Sequence, residues 1–247
     1  MNWSAQFAHA SWRRALSVRF AVIVITLFAA VPNALPSCSA QAMQKGIGVQ
    51  LPATSSAVAV PDADNASSMM VTVTEDGSAY FGTDRIVPAD LPGKIMDGVS
   101  RQPGRKLYIK ADARATFGSV SKVLEAARTA GIESPILLTA QSASVQPGTV
   151  SPPKGLELLI GPSVPSGAET TVVQVLISRL GWPPLEVNDQ RIPWTQLKST
   201  FKQLFQNQKD KVVLVKADGS APFAQVAQVV DVGRSMGAKV VLATTGL

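Results

Sequence analysis

Between residues 71 and 140 the spacing of apolar positions changes period several times, and each change marks an element. VTVT (71–74) alternates as a half-buried strand does, Glu75-Asp76-Gly77 supplies a turn, and AYFG (79–82) completes a hairpin. Leu91, Ile95 and Val99 recur at four-residue steps, which predicts one face of an amphipathic helix. LYIKA (107–111) reads as a buried strand. Val120, Val123, Leu124 and Ala127 trace a second helix face, and Gly131 stands where a helix C-cap is expected. PILLTA (135–140) ends the run as a last strand. The order is ββαβαβ.

The same order returns. VVQVLI and LEVN predict two strands, and Leu197, Phe201, Leu204 and Phe205 a helix face. VVLVKA, a helix face of Val226, Val229 and Val230, and KVVLATT complete the second pass. The two passes are related in sequence as well as in pattern. Lys110–Gly131 aligns without a gap on Lys216–Gly237, and nine of these 22 positions are identical. Chance at average composition gives roughly one or two. The chain therefore contains a duplication. The fold class expected is α/β, an α+β sandwich made twice, with β-α-β pieces that favour parallel neighbours.

The boundaries follow from composition. Residues 1–42 form a leader and 43–68 a linker. Residues 69–140 form the first unit, 141–170 a second Pro/Gly/Ser-rich linker and 171–247 the second unit. LELLI (156–160), inside the second linker, is a candidate edge strand. Units of about 70 residues are near the lower limit for a self-sufficient core, so packing against each other would help both.

The leader narrows the chemistry. It holds the chain's only histidine, His9, and its only cysteine, Cys38. The rest of the chain has no disulfide, no His/Cys zinc site, no Cys nucleophile and no Ser-His-Asp triad. No nucleotide-binding motif is present, so neither an enzyme nor a cofactor is expected. The net charge is +6, but Arg13, Arg14 and Arg19 account for half of it. What remains is too dilute for a nucleic-acid face.

Phe20–Val31 is an apolar run of 12 residues behind those arginines. As a helix it rises about 18 Å, short of a hydrocarbon core of about 30 Å. Ala40-Gln41-Ala42 has the shape of a signal-peptidase site. A cleaved signal peptide and a retained signal anchor both fit. Leu35-Pro36-Ser37-Cys38 loosely resembles a lipoprotein box, and Arg13-Arg14 a twin-arginine signal. With the arginines inside, the bulk of the chain lies outside the cytoplasm.

The repeated phrase Lys-Ala-Asp falls where a buried strand ends and a helix is about to begin. Asp112 and Asp218 are expected to turn the chain and accept backbone N–H groups near the helix start. Pro222 fits a first-turn position. Phe117 and Phe223 are expected to plug the core, and Lys110 and Lys216 to snorkel outward. A partner- or ligand-contact role for the Lys-Asp pair stands beside this structural role, because strand C-termini of α/β sheets are where ligands settle.

Three features together resemble the periplasmic domain of the ExbD/TolR family of biopolymer transport proteins. They are VTVTEDGSAYFG, the Lys-Ala-Asp phrase with Phe117 or Phe223 and the Val120/Val123 helix, and QKGIGVQLPATSSA (44–57). The resemblance runs from Gln44 to Leu247, best in the first unit. It implies a non-enzymatic inner-membrane subunit with a single N-terminal span and its bulk in the periplasm. It also implies an ExbB/TolQ-type multi-span partner, a TonB- or TolA-like protein, and in some members peptidoglycan.

The chain departs from the family's pattern twice. Family members carry an aspartate in the membrane helix, whereas the first acid here is Asp62. Members usually carry one domain, so the tandem pair is expected to fold as an internal pseudo-dimer. The alternative is a soluble or tethered periplasmic adaptor for cell wall or envelope protein, with no part in proton coupling.

Overall fold

The computed structural model describes residues 46–140, 152–161, 170–175 and 185–244, which all belong to one compact unit of the chain. The leader, with Arg13, Arg14, Phe20–Val31, Cys38 and the Ala40–Ala42 site, lies outside the described residues, as do 141–151, 162–169, 176–184 and 245–247.

The first repeat runs β2 (Met69–Val73), β3 (Ala79–Phe81), β4 (Asp84–Ile86), α1 (Leu91–Arg101), β5 (Leu107–Ala111), α2 (Phe117–Thr129) and β6 (Ile136–Thr139), with a short β1 (Val58–Ala59) before it. β7 (Lys154–Glu157) and β8 (Leu159–Ile160) follow. The second repeat runs β9 (Thr170–Val175), β10 (Leu185–Val187), β11 (Gln190–Ile192), α3 (Leu197–Leu204), β12 (Val212–Ala217), α4 (Phe223–Ser235) and β13 (Lys239–Leu242). The sheet orders are β1-β7-β6-β5-β2-β3-β4 and β11-β10-β9-β12-β13-β8.

Each repeat has one strand more than ββαβαβ, which corrects the order read from the sequence. β3–β4 and β10–β11 are hairpins with two-residue turns, pairing Phe81 with Asp84 and Val187 with Gln190. Gly82 has φ +67, and Asn188 and Asp189 have φ of 50 and 65. Positive φ at the turn suits the twist of paired strands, and Gly, Asn and Asp tolerate it best. The three-residue strands that follow carry charged, exposed side chains, so they show no apolar run. β2, β5 and β6 are parallel neighbours, as are β9, β12 and β13.

Strand alternation divides the cores. In β5, Leu107, Ile109 and Ala111 face the helices, while Tyr108 and Lys110 face the other way. On the helix side a continuous apolar cluster runs through both repeats, from Met69, Ile95, Phe117 and Leu124 to Phe201, Val215, Phe223 and Val230. The predicted α2 positions Val120, Val123, Leu124 and Ala127 are all buried. Gly131 and Gly237 end their helices at φ +81 and +74, and Ile132 and Ala238 donate back to the carbonyls of Ala127 and Gly233.

The two segments read as linkers are built into the fold where they are described. β7 joins the first sheet antiparallel to β6, and two residues later β8 joins the second sheet parallel to β13. The candidate strand LELLI thus serves both sheets. Residues 46–68 form a strap. Ala53 bridges Ala140, β1 pairs with β7, and the 3-10 turn Pro61–Asp64 buries Ala63. With Leu51 and Val60 it covers the outer face of Met70, Tyr108, Ile136 and Leu138.

Candidate functional site

The Lys-Ala-Asp loops meet each other. Thr116 and Pro222 form an antiparallel bridge, and around it the repeats exchange backbone hydrogen bonds in reciprocal pairs. Phe117 N–H donates to Ala221 O at 2.8 Å, and Phe223 N–H to Ala115 O at 2.8 Å. Gly118 N–H donates to Gly219 O at 2.7 Å, and Ala224 N–H to Ala113 O at 2.9 Å. Each pair is carried onto the other by the same shift of 106 residues. The donors are first-turn N–H groups of α2 and α4, which have no partner within their own helix. Thr116 and Pro222, the N-cap residues, give no side-chain cap. Each helix start is therefore capped by the other repeat's loop.

Close approach is needed for this. A Cβ on Gly118 would lie 3.0 Å from Gly219 O. Pro222 precedes α4 as its N-cap with ψ 132, instead of lying within its first turn. Phe117 and Phe223 are buried just inside the junction.

The aspartates act locally and unequally. Asp112 is buried and accepts from Arg114 N–H at 3.0 Å, Arg114 Nε at 3.1 Å and Gln50 N–H at 3.0 Å. Ala113 N–H returns a bond to Gln50 O at 2.7 Å, which clips the strap to the loop. Burial works to raise the Asp112 pKa, but the hydrogen bonds from Arg114 and Gln50 outweigh it and the pKa is lowered. Asp218 accepts from Ser220 N–H at 2.7 Å and Ser220 Oγ at 2.5 Å, and these bonds lower its pKa. No hydrogen bond joins the two carboxylates among the described residues. Nor do three His, Cys, Asp or Glu side chains there gather as a cation site.

Lys110 does not snorkel outward. It is 2% exposed, because it shares the face that the strap closes. Burial lowers its pKa, and the nearby Asp64 opposes the shift. Lys216, its counterpart, is half-buried.

The densest polar contact lies outside the residues that the sequence points to. Asp231, on α4, holds the strap. Its Oδ1 accepts from Ser55 N–H (3.0 Å), Ser56 N–H (2.7 Å) and Ser56 Oγ (2.6 Å). Its Oδ2 accepts from Ser55 N–H (2.9 Å) and Ser55 Oγ (2.8 Å). Burial pushes the Asp231 pKa up, but the Ser55 and Ser56 bonds prevail and it is lowered. The repeat offset pairs Asp231 with Glu125 of α2. Glu125 accepts from Thr244 Oγ1 at 2.5 Å and is salt-bridged to Arg128. An acid at the same helix position in both repeats was the available signal.

This arrangement clips chain segments together. Residues 35–142 and again 146–246 match the family described as Biopolymer transport protein ExbD/TolR. This chain belongs to the ExbD/TolR family. The two matches mark a tandem duplication, so the junction just described lies between two ExbD/TolR-type regions. A search of curated proteins found no match. Members of the family are generally non-enzymatic components of biopolymer transport complexes, typically anchored in the inner membrane, with ExbB/TolQ-type partners. No helix among the described residues is long and apolar enough to cross a membrane.

Proposed function

We propose that this ExbD/TolR chain is a non-enzymatic accessory subunit of a proton-motive-force-coupled transport complex, acting through its two periplasmic units beside an ExbB/TolQ-type multi-span protein. The observation that carries the reading is the family match over both halves of the chain. The leader's apolar run supplies a single N-terminal anchor, and TonB- or TolA-like proteins and peptidoglycan are the further partners in view. The run has no carboxylate, so the proton path belongs to the partner. Purification in mild detergent tests this: a multi-span channel-type protein should co-elute, and its consistent absence would defeat the proposal.

The reciprocal junction supports a second element of the reading. The two units act as an internal pseudo-dimer and replace the dimer that single-unit members make between chains. Phe117 and Phe223 then plug the core behind that junction, Asp112 and Asp218 hold the loops that form it, and Lys110 and Lys216 lie on the strands that lead into it. Sedimentation in matched detergent should give a monomer mass, and a stable dimer would count against the replacement.

The missing membrane carboxylate and the Ala-Gln-Ala site favour one other reading, a periplasmic adaptor without proton coupling. Intact-mass analysis separates the two. A retained leader in the inner membrane supports the transport subunit, and cleavage after Ala42 with a soluble product supports the adaptor.

A further inference from the structure

Each repeat is led in by a strap, and only one of the two has the leader ahead of it. Lys45–Pro52 (KGIGVQLP) is similar to Lys154–Pro162 (KGLELLIGP), which is one residue longer. Where they are described, the two stretches also sit alike. Ala53 makes a parallel bridge to Ala140 at the end of β6, and β8 lies parallel to β13, the strand that corresponds to β6. The β7–β8 stretch is therefore the second repeat's version of the first repeat's strap.

They differ in what holds them. β7–β8 has a repeat on either side of it in the chain, pairs with both sheets, and buries Leu156, Leu158 and Ile160. Of Gly46–Ser56, only Pro52 is buried. Polar contacts hold this stretch instead. Gln50 is bonded to Asp112 and Ala113, Pro52 O accepts from Ala140 N–H at 2.9 Å, and Ser55 and Ser56 converge on Asp231. Ser56 Oγ also donates to the Asp231 carbonyl at 3.1 Å. Water replaces such bonds on opening, so each adds little net hold, whereas buried leucines have no substitute in water. Beyond Ser56, β1 pairs with β7 and Ala63 is fully buried, so the fold takes a firm hold there. Asp112, Ala113 and Ala140 belong to the first repeat and Asp231 to the second. A pull that arrives at Gly46 from the leader thus bears on α4 through Asp231.

We propose that Gly46–Ser56 is a releasable latch between the leader and the two repeats. Fastened, it ties the leader to both of them. Under tension from the leader it peels from Gly46 towards Asp231 while both repeats stay folded. The tether then gains eleven residues, up to about 40 Å of chain, and bears on the first repeat alone. Release also uncovers the part of the Met70–Tyr108–Leu138 face that Leu51 covers. The inference rests on a retained leader, as the transport reading does, but not on the identity of any partner.

The test applies the tension itself, to the full chain in mild detergent, held in optical tweezers between Cys38 and a C-terminal tag. A small reversible event that frees about eleven residues should precede the unfolding of the remainder. Asp231→Ala should abolish that event and leave the later one at its full length. Ser55→Ala with Ser56→Ala removes the hydroxyl contacts from the strap side, should at least halve the force of the small event, and guards against a folding defect in the first variant. Asp218→Ala, which touches no strap residue, should leave the small event as it is. Absence of the small event in the unsubstituted chain would overturn the proposal. So would a small event that keeps its force in both the Asp231 and the double serine variants, or a first event far longer than the strap, in which a repeat opens before the latch does. A failed co-purification with the small event present defeats the transport reading alone.

Discussion

Asp231 is an acid on a helix whose neighbours Val229 and Val230 are fully buried, and it is itself only 8% exposed. A carboxylate in that position is tolerated when hydrogen bonds replace its hydration, and Ser55 and Ser56 supply them. Replacing it by alanine frees the strap and leaves the serine N–H groups to water. We expect Asp231→Ala to cost about 2–3 kcal/mol in urea unfolding, with loss of hydrogen-exchange protection at Ser55 and Ser56.

The pH dependence of this contact follows from its sign. The folded pKa is depressed, so the stabilisation is complete above the unfolded carboxylate value of about 3.9 and is lost as pH falls through the lower folded value. Strap protection measured by exchange should stay flat from neutral pH to about pH 5 and fall only in stronger acid. A midpoint near pH 6 would contradict the assignment. The two Lys-Ala-Asp aspartates should separate similarly. Asp112 holds the strap and its own loop, whereas Asp218 holds only Ser220, so alanine at 112 should cost more than at 218, where about 0.5–1.5 kcal/mol is expected.

At the scale of elements, the junction between α2 and α4 depends on backbone approach and not on side-chain pairing. Gly118 is where a side chain would intrude, since its added Cβ meets the Gly219 carbonyl. Gly118→Val should push the loops apart and cost about 1–3 kcal/mol, with amide protection lost at Phe117 and Phe223 together. Loss at Phe117 alone would mean that the two capping sets are not coupled.

The helices and parallel strands at this junction were legible because local periodicity and the repeated phrase encode them. Phe117, Phe223, Val120 and Val226 are buried as their spacing requires. The third strand of each repeat is not legible, because three-residue strands with exposed charges have no period, although Asn188-Asp189 is a readable hairpin turn. The strap was read as linker because its partners lie 62 and 176 residues away, at Asp112 and Asp231, and no local pattern carries such a contact. Lys110 departs from its expected outward place for the same reason. Whether a strand lysine reaches water depends on what covers the sheet face, and here a distant Pro- and Ser-rich segment does.

Beyond the reciprocal junction, further contacts among the described residues tie the two repeats together. The apolar cluster on the helix side includes residues of both repeats. β7 and β8, separated by one residue, belong to different sheets. The strap begins on the first sheet and is held by a helix of the second repeat. Opening either repeat alone would uncap the other's helix start, expose part of the shared cluster and strip Asp231 or Glu125 of its partners. Two regions that each match the family separately should therefore unfold as one unit. Native-state hydrogen exchange across a urea series tests this directly. Amides of β5 and β12 should open with free energies that agree within about 1 kcal/mol and converge on the same denaturant dependence. If β12 opens at clearly lower urea while β5 stays closed, the shared cluster does not couple the repeats, and they behave as two independently stable domains on one chain.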